Sequence, residues 1–215
     1  MVPFNRIKSS RLKNKLMPLP SRYLPHTAVL VCLVAPCVAI AATDSSPEAT
    51  LTKGLADLLR LARSKNNNDP VELAHRVRPT IERFFNLESL TRKALGPGWK
   101  EFTPAQQKRA VELFSEMIIR SYTSRFDPNS DVDVQFSKST ELGSGRKEVP
   151  AAARYQGNSV ALAYRVENIG PEGWRVYDVV IEGVSLASNY RAQFDAIRQK
   201  GGPEAVLHAM EDKIK

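Results

Sequence analysis

Two kinds of apolar spacing follow one another along the chain, and the change from one to the other divides it. Leu51, Leu55, Leu58, Leu59 and Ala62 recur at intervals of three and four, which gathers them on one face of an α-helix over 47–65. Asn66-Asn67-Asn68-Asp69 stops that helix, and Pro70 stands where a second one begins, a position that needs no backbone N–H. Val71, Ala74, Val77, Ile81 and Phe84/Phe85 form its stripe, with Pro79 expected to kink or end it. A short helix over 87–95 closes at Gly96-Pro97-Gly98, just before Trp99. Thr103-Pro104-Ala105-Gln106 is a capping box. It opens the longest helix, running toward Phe126, with Ala110, Leu113, Phe114, Met117, Ile118 and Tyr122 along one side.

Beyond Asp127-Pro128-Asn129-Ser130 the period becomes two. Val132, Val134 and Phe136 alternate with polar residues, Ala151, Ala153 and Tyr155 do so weakly, and Val160, Leu162, Tyr164 and Val166 do so clearly. Residues 174–181 are apolar on both faces, which predicts a central strand. Turns at Gly143-Ser144-Gly145, Gln156-Gly157-Asn158 and Gly170-Pro171-Glu172-Gly173 separate these runs and predict hairpins. Ser185 is placed to cap a helix reaching Lys200, and Pro203 starts a last one after Gly201-Gly202. The pattern is α+β: N-terminal helices, an antiparallel sheet of about four strands, then C-terminal helices.

The first 41 residues read differently. Residues 1–26 hold six basic side chains and no acid. An apolar run over 28–42 follows, ends in Ala39-Ile40-Ala41, and gives way to polar Thr43-Asp44-Ser45-Ser46. These are the parts of a cleavable secretory signal, and the run falls short of the roughly 20 residues a spanning helix needs. An uncleaved anchor and a lipoprotein acylated at Cys37 are the competing readings, and Met17 is a second candidate start. The chain thus divides into a signal at 1–41 and a single domain at 42–215.

Removing that segment changes the charge. The whole chain carries +8. Of its 31 basic residues, six belong to the signal, which leaves 25 against 23 acidic ones. The remaining domain is nearly neutral and has no basic signature of nucleic-acid binding. Cys32 and Cys37 also fall in the signal, so the domain has no thiol chemistry and no cysteine-bound metal.

Catalytic equipment is sparse. His75 and His208 lie in predicted helices among charged neighbours without a metal-spaced partner. Gly143-Ser144-Gly145-Arg146 lacks the rest of a phosphate-binding loop. Gly183-Val184-Ser185-Leu186 lacks the second glycine of a nucleophile elbow. Asp178 stands out because it interrupts an apolar strand, on the face assigned to Trp174, Val176 and Val180. A buried carboxylate is costly unless bonded. Either an arginine or loop amides satisfy it, or it serves as the general base of a cone-shaped isomerase or hydratase.

The run from Trp174 through Asp178, Gly183, Ser185, Tyr190 and Arg191 to Phe194 closely resembles the signature of the MlaC/toluene-tolerance family. Phe85-Asn86-Leu87 through Gly96, then Trp99-Lys100, Thr103-Pro104-Ala105-Gln106-Gln107 and Ser121-Tyr122, fit as well, and the order agrees over 47–213. The stretch 138–156 is rich in Gly and Ala and matches loosely. The resemblance implies a periplasmic phospholipid carrier, the soluble binding component of an ABC-type lipid transport system that maintains outer-membrane lipid asymmetry. Its implied partners are phospholipid, an inner-membrane ABC transporter complex and an outer-membrane lipoprotein complex, met as a monomer, with no catalysis, cofactor or metal. Acyl chains would lie in an apolar cavity between a curved sheet and helices. Two tails left in water would cost on the order of 20 kcal/mol at about 0.8 per methylene. The expected wall combines Phe114, Met117, Ile118 and Tyr122 with Leu162, Tyr164, Val179 and Ile181, against ordinary core packing of each. Gly183 and Ser185 make the strand-to-helix turn, and Tyr190 and Arg191 anchor that helix or meet a membrane partner. A carrier of another apolar lipid, such as a hopanoid, and a pure scaffold without a cavity are the other readings.

Overall fold

The computed structural model describes residues 46–64, 69–124, 127, 130–155 and 157–214; the segment 1–41, expected to be an export signal, lies outside them. Helix α1 (Pro47–Arg63) is capped by Ser46, and α2 (Pro70–Phe84) by Asp69 with Pro70 in its first turn. Pro79 sits inside α2 without ending it. Helix α3 (Leu87–Leu95) leads through a 3-10 segment (Gly96–Glu101) to α4 (Pro104–Thr123), whose Thr103–Gln106 capping box is fully formed. Among the described residues six strands follow, where about four were expected: β1 (Val132–Phe136), β2 (Thr140–Gly143), β3 (Arg146–Tyr155), β4 (Asn158–Asn168), β5 (Trp174–Ile181) and β6 (Val184–Ser185). The two additions, β2 and β6, are too short to show a period. Helix α5 (Leu186–Ile214) is interrupted at Gly201 and Gly202, whose dihedrals leave the helical region. This is the break expected before Pro203.

The sheet runs β1-β3-β4-β5-β6, every ladder antiparallel, with β2 also on β3. Pro150 tolerates its place in β3 because it falls between the end of β1 and the start of β2. There its carbonyl accepts from the Ser137 N–H at 2.8 Å, and no ladder partner needs its missing donor. Strand β5 is not central: β6 covers only Val180 and Ile181, and the Asn86 N–H reaches the Val176 carbonyl at 2.8 Å further along. Helices guard that edge, which is why β5 is apolar on both sides.

Among the described residues, three apolar clusters hold the fold. The largest joins α3, the 3-10 segment, α4 and α5 through Leu90, Trp99, Phe102, Phe114, Phe194 and Met210. A second joins α1 and α2 to Ile119 of α4. The third sets Leu51 of α1 against Val149, Val166 and Val176 of the sheet. Helices α1 and α2 approach closely because Gly54 has no side chain: a Cβ there would stand 2.9 Å from the Phe84 ring. Gly54→Val should therefore cost about 1–3 kcal/mol by overpacking, read as a lower urea midpoint; an unchanged midpoint would show that the helices separate freely.

Candidate functional site

A bulge in β5 decides what faces what. Asp178 pairs with Arg165 and Val176 with Val166, so Tyr177 is an extra residue in the strand. An inserted residue reverses the alternation beyond it. Trp174, Val176, Val179 and Ile181 therefore share one face, while Asp178 and Val180 share the other. The assignment of Asp178 to the face of Trp174 and Val176 is corrected on this ground.

Asp178 is fully buried, at 0% exposure. Its Oδ2 meets Lys93 Nζ at 2.8 Å and Arg165 Nη1 at 3.2 Å, and accepts from the Ser185 hydroxyl at 2.7 Å. Its Oδ1 accepts from the Ala187 N–H at 3.1 Å. Burial pushes the carboxyl up, but the donors from Lys93, Ser185 and Ala187 outweigh it and hold the group below its ordinary range. A general base needs a raised pKa and a free lone pair facing substrate. Asp178 has neither, so the isomerase reading falls. Lys93 and Arg165 were not picked out from sequence; the available signal was a polar Arg165 across from a mid-strand acid.

The remaining motif residues lock α5. Glu182 and Gly183 both have positive φ (49° and 79°), the two-residue hairpin geometry that returns the chain as β6. Ser185 then accepts from the Ser188 N–H at 3.1 Å, capping α5 as expected. Arg191 donates from Nε and Nη2 to the Lys93 carbonyl at 3.2 and 2.9 Å, closing the end of α3. Gly96 makes room for it, since a Cβ there would lie 2.7 Å from Arg191 Nε. Tyr190 sits edge-on to Phe114 at 5.0 Å and stacks on Phe194 at 5.7 Å. Both residues anchor the helix.

The expected wall residues separate into two groups. Phe114 and Met117 are buried in the helical core, and Ile118 packs against it. Tyr122 is 46% exposed at the end of α4. The α4 stripe thus faces α5, and periodicity alone does not name the partner of a stripe. Leu162, Tyr164, Val179 and Ile181 do share the apolar sheet face, in the register Leu162↔Ile181 and Tyr164↔Val179. Tyr164 and Val179 pack beside the Val149 cluster, and burial pushes the Tyr164 phenol up. Among the described residues, Leu162 and Ile181 belong to none of the three clusters and stay half-buried.

The helix that meets β3 over this face is α1. The Glu48 carboxylate accepts from the Ser139 N–H at 2.6 Å, and Arg63 donates to the Ser130 carbonyl at 3.4 Å, so both ends of α1 are tied to the β1 side. Partial burial pushes the Glu48 carboxyl up, but its own amide and that of Ser139 bring it down to about 2.

Elsewhere a cleft of about 680 Å³ lies among α2, α3, α4 and the β4–β5 turn. Phe85, Leu87 and Ile169 line it together with Arg78, Glu116 and Arg175. Its charges are paired, Arg78 with Glu116 and Arg175 with Glu172. None of the eight expected wall residues reaches it, and charged pairs share its lining with the apolar side chains. Among the described residues no helix is long and apolar enough to cross a membrane.

Fold and face together define a class: a small α+β domain with a solid helical core and a one-sided antiparallel sheet whose apolar face is incompletely filled. The MlaC protein family model matches residues 49–212. The chain belongs to that family. The Haemophilus influenzae protein called intermembrane phospholipid transport system binding protein MlaC is 28% identical over 193 residues, covering 86% of this chain and 89% of its own. A phospholipid-binding protein from Ralstonia solanacearum, solved in complex with a phospholipid, matches with a TM-score of 0.71 at 25% identity. That match covers 78% of this chain and 96% of the other.

The buried carboxylate yields a pH prediction. Its folded pKa is depressed, so the unfolded chain binds the proton first as pH falls. The stability it contributes is complete above about pH 4 and is lost below, as pH falls through the folded pKa. Asp178→Asn should cost about 3 kcal/mol near neutral pH. The gap to the unsubstituted protein, read by urea unfolding, should narrow in acid; a gap independent of pH would contradict the assignment.

Proposed function

We propose that this chain is a phospholipid carrier, the soluble binding component of an ABC-type lipid transport system that works in the periplasm after cleavage of residues 1–41. Residues 42–215 form its single domain. It receives phospholipid from one membrane and delivers it to another as a monomer, meeting an outer-membrane lipoprotein complex at one end and an inner-membrane ABC transporter at the other. It performs no chemistry on its cargo.

The observation that carries this reading is the phospholipid held by the Ralstonia solanacearum protein, whose fold this chain shares over nearly that whole structure. The sheet supports it. A carrier has to replace water around acyl chains with apolar wall, at about 25 cal/mol per Å² covered. Val132, Val134, Val160, Leu162 and Ile181 offer half-buried apolar surface that packs into none of the three clusters. The near-neutral domain suits passage through an aqueous compartment, with the head group left in solvent.

Native mass spectrometry of the protein purified from cells tests the proposal. A phospholipid should be recovered with the folded chain. A hopanoid in its place would assign a different cargo to the same fold, and a folded chain that is empty and takes up no phospholipid from vesicles would overturn carriage altogether.

A further inference from the structure

Strand β3 puts small residues where its neighbours are large. Its register places Ala151 between Phe136 of β1 and Leu162 of β4, and Ala153 between Val134 and Val160. Ile181 of β5 extends the first of these rows. All of these side chains lie on the apolar face, because directly paired residues point to the same side of a sheet. Two strand spacings separate β1 from β4, about 10 Å between backbones. The two alanines therefore floor a trough along β3, walled by branched and aromatic side chains. Both are buried, at 7% and 9% exposure. Among the described residues, neither belongs to a packed cluster.

The trough has a closed end. Phe136 and Tyr164 reach toward each other across β3 and meet edge-on, their ring centroids 5.7 Å apart. Beyond that aromatic bar the face is filled, with Val149, Val166, Val176 and Leu51 all buried in one cluster. The other end leads toward the β3–β4 turn at Gly157, beside half-buried Val132 and Val160. A linear apolar group entering from the turn would lie on the alanines and stop at the bar.

We infer that Ala151 and Ala153 floor the slot for one acyl chain of the cargo, and that the Phe136–Tyr164 pair sets its length. The inference rests on the carrier reading above and goes beyond it, because it assigns specificity to four residues. The head group lies toward the β3–β4 turn and the terminal methyl against the aromatic pair. Alanine at both floor positions gives the chain a depth that leucine or valine would remove.

The test compares exported, full-length-processed protein variants for phospholipid uptake from phosphatidylethanolamine vesicles and for the acyl chains recovered with them. Ala153→Trp fills the trough and should lower uptake by about tenfold or more, while Ala152→Trp, on the solvent face of the same strand, should leave uptake unchanged. Where Ala153→Trp does not fold, Ala153→Leu carries the comparison. Phe136→Ala should shift the recovered chains to greater length, and Ala151→Leu to shorter. Equal uptake by the Ala152 and Ala153 variants, or chain profiles that do not move, would overturn the slot while leaving carriage intact. A parent protein that takes up no phospholipid would instead overturn the carrier reading itself.

Discussion

Asp178 is a buried carboxylate that four elements must reach at once. Lys93 comes from α3, Arg165 from β4, Ser185 from β6 and the Ala187 amide from α5. Charge held away from water is tolerated only where hydrogen bonds replace hydration, so each element has to stand in its place for the others to be stable. The bulge at Tyr177 turns the carboxylate out of the apolar face, and the hairpin at Glu182-Gly183 brings Ser185 back to meet it. Arg191 adds a second tie between α5 and the end of α3. The most distinctive stretch of the sequence therefore builds a joint between sheet and helices.

That joint separates two kinds of apolar surface. On the helical side the packing is complete, with Phe114, Phe194 and Met210 closed into one core. On the sheet side only the rows around Val149, Val166 and Val176 are filled. A rigid helical block can hold a curved sheet in position while part of the sheet's apolar face stays unfilled. Val132, Val134, Val160, Leu162 and Ile181 are the half-buried side chains of that part, and apolar side chains left short of full packing on one face suit a binding function. In the carrier proposed above, that face receives an acyl chain, and the relative of the same fold was solved with a phospholipid. Helix α1 shares that face, held by Leu51 one turn from its start and by Glu48 and Arg63 near its two ends.

Much of this was legible in the residues. Asp69-Pro70 and the Thr103–Gln106 box fixed the helix starts because capping is local chemistry, readable without tertiary context. Val160, Leu162, Tyr164 and Val166 announced β4 by strict alternation. The faces of β5 were not legible, because a bulge leaves no mark in the pattern of apolar residues and inverts everything beyond it. The destination of the α4 stripe was hidden for a related reason: Phe114 and Met117 show that the helix has an apolar side, and only packing shows that α5 covers it. Ala151 and Ala153 alternate too weakly to attract attention, since small side chains carry little hydrophobic signal. Their meaning lies in the size of their cross-strand neighbours.

Carriage is tested most directly by transfer. Lipid-stripped protein is mixed with vesicles containing isotope-labelled phospholipid and separated from them by flotation. Label should appear with the soluble protein, approaching one phospholipid per chain. A protein that is folded by circular dichroism, yet leaves all the label with the vesicles, would contradict the account.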